Sequence, residues 1–234
     1  MIVLILLFYL FLLIFLLFYS EFGVIMNQKE YWDSVCEDKE FTTPFHPKEF
    51  AKYVKKDDFI VDIGCGYGRT LRELKDLGYT NLRGYDFSEN MIKRGKRENP
   101  DLDLRIKEKE TIDLPDDSVN VIILFAVLTS IITDEEQKEL ISEIYRVLKP
   151  NGIFYLTDFL LNDDDRNLKR YEKYQDELGI YGCFKLSEGA TLRHHSEEHI
   201  FELLDSFERK KYQSEVYDTM NGHTSNGFYY IGMK

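Results

Sequence analysis

Cysteine is scarce in this chain of 234 residues: Cys36, Cys65 and Cys183 are the only three, an odd number without a Cys-x-x-Cys pair. That usage argues against a disulfide framework or a thiolate zinc site and fits a reducing compartment. Positive charge is also short. Thirty basic residues against 42 acidic ones leave a formal net charge of -12. Such a balance argues against a general nucleic-acid binder, which carries a basic footprint. Internal repeats, low-complexity linkers and signs of a second domain are missing too. The length fits one α/β domain with a sizeable core.

Long apolar runs are absent except at the start, where Ile2 to Tyr19 continues unbroken for 18 residues before Ser20 and Glu21. About 20 residues at ~1.5 Å each span a bilayer's hydrocarbon core, so the run is just long enough for one transmembrane helix. A signal peptide fits less well, because no Lys or Arg precedes the run and no small-x-small site follows it. The other reading puts the working start at Met26, where a polar, globular-looking sequence opens. The chain thus divides into an apolar leader, 1–25, and a domain, 26–234.

From Asn27 onward, strand-like and helix-like stretches alternate. Apolar runs predict strands over 59–63, 81–85, 102–106, 119–125 and 153–157, the fourth apolar enough to be central in a parallel sheet. Helical spacing predicts helices over 48–54, 70–77, 90–96, 135–148 and 197–204. Pro150-Asn151-Gly152 stops the fourth of these before the fifth strand. The charged stretch 162–173 reads as an exposed loop and helix. Segments 210–217 and 227–232 read as a closing strand pair around an Asn221-Gly222 turn. The alternation implies a doubly wound, parallel α/β sheet.

Chemistry concentrates where Phe59-Ile-Val-Asp-Ile63 runs into Gly64-Cys-Gly-Tyr-Gly68. Strand, glycine turn and helix start together turn backbone N–H groups and a helix dipole toward an anionic ligand group. Glycine tolerates positive φ and lets a ligand approach closely. A dinucleotide fingerprint needs its third glycine three positions after the second. That position holds Arg69. Asp86 ends the second strand, 24 residues after Asp62, where a carboxylate can accept from ribose hydroxyls. Its rival role is to cap the next helix, for which Ser88 is better suited.

Four pieces stand in order between Asp62 and Thr157: Asp62-x-Gly64-x-Gly66-x-Gly68, Gly84-Tyr-Asp-Phe-Ser88 running on to Met91, Glu110-Thr-Ile-Asp-Leu-Pro115, and Arg146-Val-Leu-Lys-Pro-Asn-Gly152. Together they resemble class I S-adenosylmethionine-dependent methyltransferases. The resemblance implies a Rossmann-like seven-stranded sheet, mostly parallel with an antiparallel terminal strand, and S-adenosylmethionine as cofactor. It places the methionine part at Gly64, Cys65, Gly66 and Gly68 beside Asp62, the ribose on Asp86, and Phe87 beside the adenine. Glu110 would receive the adenine amino group and the Thr111 backbone would meet the ring, with Asp113 as a rival for Glu110. Met91 and Phe125 complete the cofactor set. The last of the four pieces reads as structural.

Departures from the family bear on the acceptor. Asn120 stands where Asp is frequent, and Thr129-Ser130 where histidines commonly follow the fourth strand. No Asn-Pro-Pro-Tyr is present, and Cys65 belongs to the cofactor turn. These features weigh against DNA-adenine, protein-glutamine and cytosine C5 methylation, leaving a small molecule as the expected acceptor. Methyl transfer needs in-line placement, and a base only where the acceptor must lose a proton. His194, His195 and His223 are the candidates to bind an anionic acceptor, act as a base or hold a metal; the alternative is a surface or capping role, and no metal site is expected. Tyr31 and Trp32 either close over the cofactor and exclude water or anchor a helix to the core. Two other readings stay open: an NAD-dependent oxidoreductase, and a non-catalytic, membrane-anchored S-adenosylmethionine sensor. The catalytic domain is expected on the cytosolic side.

Overall fold

The computed structural model describes residues 28–108 and 111–234. Its central sheet contains β1 (Phe59–Ile63), β2 (Asn81–Asp86), β3 (Asp103–Ile106), β4 (Val119–Phe125), β5 (Leu148–Phe159), β8 (Glu208–Asp218) and β9 (Thr224–Met233). The strand order is β3-β2-β1-β4-β5-β9-β8. Pairings from β3 through to β5 are parallel, while β9 runs antiparallel to both β5 and β8. The expected seven-stranded, Rossmann-like sheet is present, with the chain-terminal β9 inserted between β5 and the edge strand β8.

Side chains alternate along a strand, and both faces of this sheet are covered. Val61, Ile63, Ile122, Leu124, Phe154 and Leu156 face one layer, where they meet Ile141, Ile144 and Val147 of α5 (Asp134–Val147) and Ile200 and Leu203 of α7 (Glu197–Leu203). Ile60, Val121, Ile123, Ile153 and Tyr155 face the other, against Phe50 of α2 (Pro47–Phe50), Leu71 and Leu74 of α3 (Arg69–Asp76) and Ile92 of α4 (Glu89–Glu98). Burial on both sides is what makes β4 read as an unbroken apolar run.

Of four further elements, the first and third fit the sequence reading and the second and fourth depart from it. The first, α1 (Gln28–Val35), carries Tyr31 and Trp32 and packs on α4. Second, β5 begins at Leu148, directly after α5, and Lys149–Gly152 form an irregularity where its pairing with β4 jumps from Val119 to Val121. Asn151, at φ 64, donates its N–H to the carbonyl of Lys234. Third, the charged stretch becomes α6 (Asp165–Leu178), opened by the Asp164 side chain on the N–H groups of Arg166 and Asn167 and closed by Gly179 at φ 73. Fourth, a small hairpin follows, β6 (Cys183–Lys185) paired with β7 (Thr191–Arg193). Helix α7 is capped by Ser196, with His194 and His195 just before it. Among the described residues, no helix is long and apolar enough to cross a membrane, and the run 2–19 lies outside them.

Candidate functional site

The carboxyl ends of β1, β2 and β4 open into one cavity of about 1340 Å³, the place where open α/β sheets bind ligands. Its floor is the glycine turn. Gly64, Gly66 and Gly68 lie at φ 74, 54 and 86, in the left-handed region. Gly64 and Cys65 donate their N–H groups to the Tyr85 carbonyl (2.7 and 3.0 Å), and Gly66 donates to Asp86 Oδ2 (2.8 Å). These donors are therefore spent on β2, and the turn's contribution to a ligand is space. A Cβ on Gly66 would run into the Phe41 ring.

Asp62, Gly64, Cys65, Gly66, Asp86, Phe87, Met91, Thr111 and Phe125 all line this cavity. Gly68 does not; it is the left-handed residue that starts α3. Glu110 lies outside the described residues. The two aspartates differ in state. Asp86 is buried, accepts from Gly66 and from the Ser88 N–H (2.8 Å), and is pushed up to about 6 by burial, with those two N–H groups opposing. Ser88 is the helix cap, its hydroxyl accepting from Met91 N–H, which frees Asp86 from that role. Asp62 is 2% exposed, and its Oδ1 has no hydrogen-bond partner among the described residues. Burial pushes it up to about 8, partly opposed by Arg69.

An orphaned carboxylate oxygen on the cavity wall suits a cationic donor, and the α-ammonium of S-adenosylmethionine is such a group. Arrival of a cation favours the ionised carboxyl. S-adenosylhomocysteine should therefore bind with proton release near pH 7 and more tightly as pH rises from 6 to 8. Calorimetry in two buffers of different ionisation enthalpy reads this directly, and identical enthalpies would take Asp62 off the ammonium.

Tyr31 and Trp32 also line the cavity. Asp33 fastens their helix to the first turn of α4, accepting from Ser88 Oγ (2.7 Å) and from the Asn90 N–H (3.0 Å). Trp32 packs edge-on against Phe41, which stacks on Tyr67. Covering the cavity and anchoring the helix are thus one arrangement.

The three histidines part company. His194, 4% exposed, lines the cavity. Its Nδ1 lies 2.6 Å from the Tyr171 hydroxyl, which accepts from the Asn162 N–H. The phenol proton then goes to Nδ1 and leaves the ring proton on Nε2. Burial, aided by the charge of Arg170, holds His194 well below the usual histidine range, so the neutral ring is a donor and not a base. His195 does not line the cavity: its Nδ1 meets the Phe159 carbonyl (3.2 Å) and its Nε2 meets Gln137 (2.9 Å). Burial lowers it to about 3. That removes it from the acceptor side. His223 is exposed and lines the cavity from the β8–β9 loop. Among the described residues, no group of three His, Cys, Asp or Glu could hold a metal.

Sequence reasoning missed the far wall of the cavity: Phe159, Arg166, Arg170 and Phe184, together with Phe41 over the glycine turn. Arg166 and Arg170 are spaced one helical turn apart, but among so many aspartates that spacing looked like an ordinary solvated face.

Residues 61–156 match a family described as a methyltransferase domain. The chain is 32% identical over 111 residues to human eEF1A lysine and N-terminal methyltransferase, which covers 43% of this chain and 16% of that protein. It is 35% identical over 112 residues to a mouse tRNA N(3)-cytidine methyltransferase, covering 43% and 28% respectively. This chain thus spans less than a third of the length of either protein. A solved S-adenosylmethionine-dependent methyltransferase of Methanosarcina mazei superposes with a TM-score of 0.76 at 26% identity, covering 81% of this chain and 98% of that one. These similarities give the oxidoreductase and sensor readings no support.

Proposed function

This chain carries a class I S-adenosylmethionine-dependent methyltransferase domain whose cofactor is S-adenosylmethionine, and on that premise we propose that it methylates a small molecule. The observation that carries the proposal is a single cavity running from the glycine turn to His194 and the β6–β7 hairpin, with α1 along its rim. One end suits the cofactor and the other an acceptor of modest size. In this reading Asp62 takes the ammonium, Gly64, Cys65 and Gly66 leave room for the methionine part while Gly68 starts the helix behind them, and Asp86 takes the ribose hydroxyls. Phe87, Met91 and Phe125 wall the adenine, with Glu110 and the Thr111 backbone at its edge.

The bound cofactor supplies an electrophilic methyl group. The chain's own residues place the acceptor in line with it, and Tyr31, Trp32 and Phe41 exclude water. His194 Nε2–H donates to the acceptor. With His194 neutral and His195 out of reach, an acceptor atom that meets His194 arrives with a free lone pair and needs no base. His223 is the histidine left in the cavity for an acceptor that must lose a proton. The named relatives act on a protein and on tRNA, so acidic composition alone does not exclude a nucleic-acid acceptor. The run 2–19 is read either as an anchor or as preceding a working start at Met26, and both readings leave the domain on the cytosolic side.

Isothermal titration of S-adenosylhomocysteine, with NADH in parallel, tests the cofactor half. Micromolar binding of the first and none of the second is expected; a folded sample that binds neither would overturn it. S-adenosylhomocysteine release from S-adenosylmethionine with a protein-free, nuclease-treated metabolite extract tests the acceptor half. Turnover confined to tRNA or protein fractions would replace the small-molecule reading.

A further inference from the structure

In a chain with a net charge of -12, the far wall of the cavity is cationic. Arg166 and Arg170 both line it from α6. Arg170 is half-buried, its guanidinium lying 3.4 Å from the ring centre of Phe184, and its Nε is buried without a hydrogen-bond partner among the described residues. Several partly buried arginines are answered by carboxylates: Arg146 by Asp116 and Glu143, Arg193 by Asp134, Arg94 by Glu98. Arg69, which also lines the cavity, donates to the Thr43 carbonyl, and its charge acts on Asp62. No described ion pair answers Arg170. Its polar neighbour is the Tyr171 hydroxyl, and Asp164, whose charge reaches it, is engaged in capping α6. Glu188 also lines the cavity but is paired with Lys39 at 3.0 Å. Both arginine charges felt at His194, those of Arg170 and Arg166, are positive.

Arginine stays charged at neutral pH, and a partly desolvated cation without a counter-ion is costly. An arriving anion removes that cost. We propose that the methyl acceptor carries a carboxylate, received by the Arg170 guanidinium, with its apolar part between Phe159 and Phe184 and Arg166 nearer solvent. The inference rests on the methyltransferase reading of this same cavity. The planar guanidinium fork matches a carboxylate in two-point contact. A phosphate near two negative charges would need a second desolvated cation, whereas Arg166 is exposed and lies 3.9 Å from Asp164.

The test is calorimetry on the full-length chain saturated with S-adenosylhomocysteine, using benzoate as probe and benzamide as its uncharged match. Benzoate should bind at least tenfold more tightly. Arg170→Gln should erase the difference, and Arg170→Lys should keep part of it. Equal binding of the two probes, no benzoate binding at millimolar concentration, or undiminished benzoate binding by Arg170→Gln would each overturn the proposal. Arg170→Met keeps an apolar stack on Phe184, so misfolding of one variant does not remove the test, and the wild-type comparison needs no variant. Failure of S-adenosylhomocysteine itself to bind would sink the methyltransferase reading, while the benzoate–benzamide comparison without it still decides the anion site.

Discussion

Replacing Asp86 with alanine should weaken S-adenosylhomocysteine binding more than a hundredfold and also lower the melting temperature. Two ribose hydroxyls donating to an ionised acceptor contribute about 1.5–3 kcal/mol each, so losing both exceeds two decades of affinity. The stability effect has a separate origin. Gly66 and Ser88 donate their N–H groups to the two Asp86 oxygens, and alanine leaves both buried donors without an acceptor. Each orphan costs about 1–3 kcal/mol, partly offset because a carboxyl pushed up to about 6 by burial is itself desolvated. A net loss near 2 kcal/mol would lower the midpoint by ~4–8 °C in a domain of this size. Asp86→Asn keeps an oxygen for Ser88 but sets an NH2 against the Gly66 N–H, so binding should still fail. Unchanged affinity in either variant would take the ribose off Asp86.

The second large effect is expected at Gly182, on the acceptor side. Its φ is 94, a Cβ there would run into the His194 carbonyl oxygen, and its own carbonyl accepts the His194 N–H at 3.0 Å. A side chain must adopt strained backbone, about 1–3 kcal/mol, and must also push His194 away. Gly182→Ala should lose roughly 3 kcal/mol or more, a drop of ~6–12 °C. Turnover should collapse while S-adenosylhomocysteine binding stays within about threefold, because Asp62, Asp86 and the glycine turn are untouched. A wild-type melting curve with wild-type turnover would separate the hairpin from the acceptor pocket.

Much of the sheet and of the glycine turn was readable in the sequence, for physical reasons. A strand covered on both faces has to be apolar throughout, as Val119 to Phe125 is, and a turn at positive φ needs glycine, as at Gly64, Gly66 and Gly68. The acceptor half was not. Strands of three residues, Cys183–Lys185 and Thr191–Arg193, are too short for alternation to emerge. His194 and His195 look equivalent as neighbours, but extended backbone sends adjacent side chains to opposite sides; one meets the cavity and the other Gln137. The isolation of Asp62 Oδ1 and of Arg170 is a property of what does not fold against them. No local pattern encodes that.

The fastening of α1 also sets how often the cavity stands open. Hydrogen bonds hold this rim at several points. Ser88 and Asn90 donate to Asp33 Oδ1, and Asn90 Nδ2 donates to the Asp33 carbonyl. Arg94 donates to the carbonyls of Cys36 and Lys39 and to Glu40, Arg97 to Glu37, and Gln28 Nε2 to the Thr191 carbonyl. At about 1 kcal/mol net apiece for the buried ones, lifting the segment costs at least several kcal/mol, so the raised rim is a minor state. Spent cofactor leaving by that route would dwell far longer than a ligand on an open surface. Product release thereby becomes a step that the hold on this helix can slow, alongside the chemistry at the methyl group.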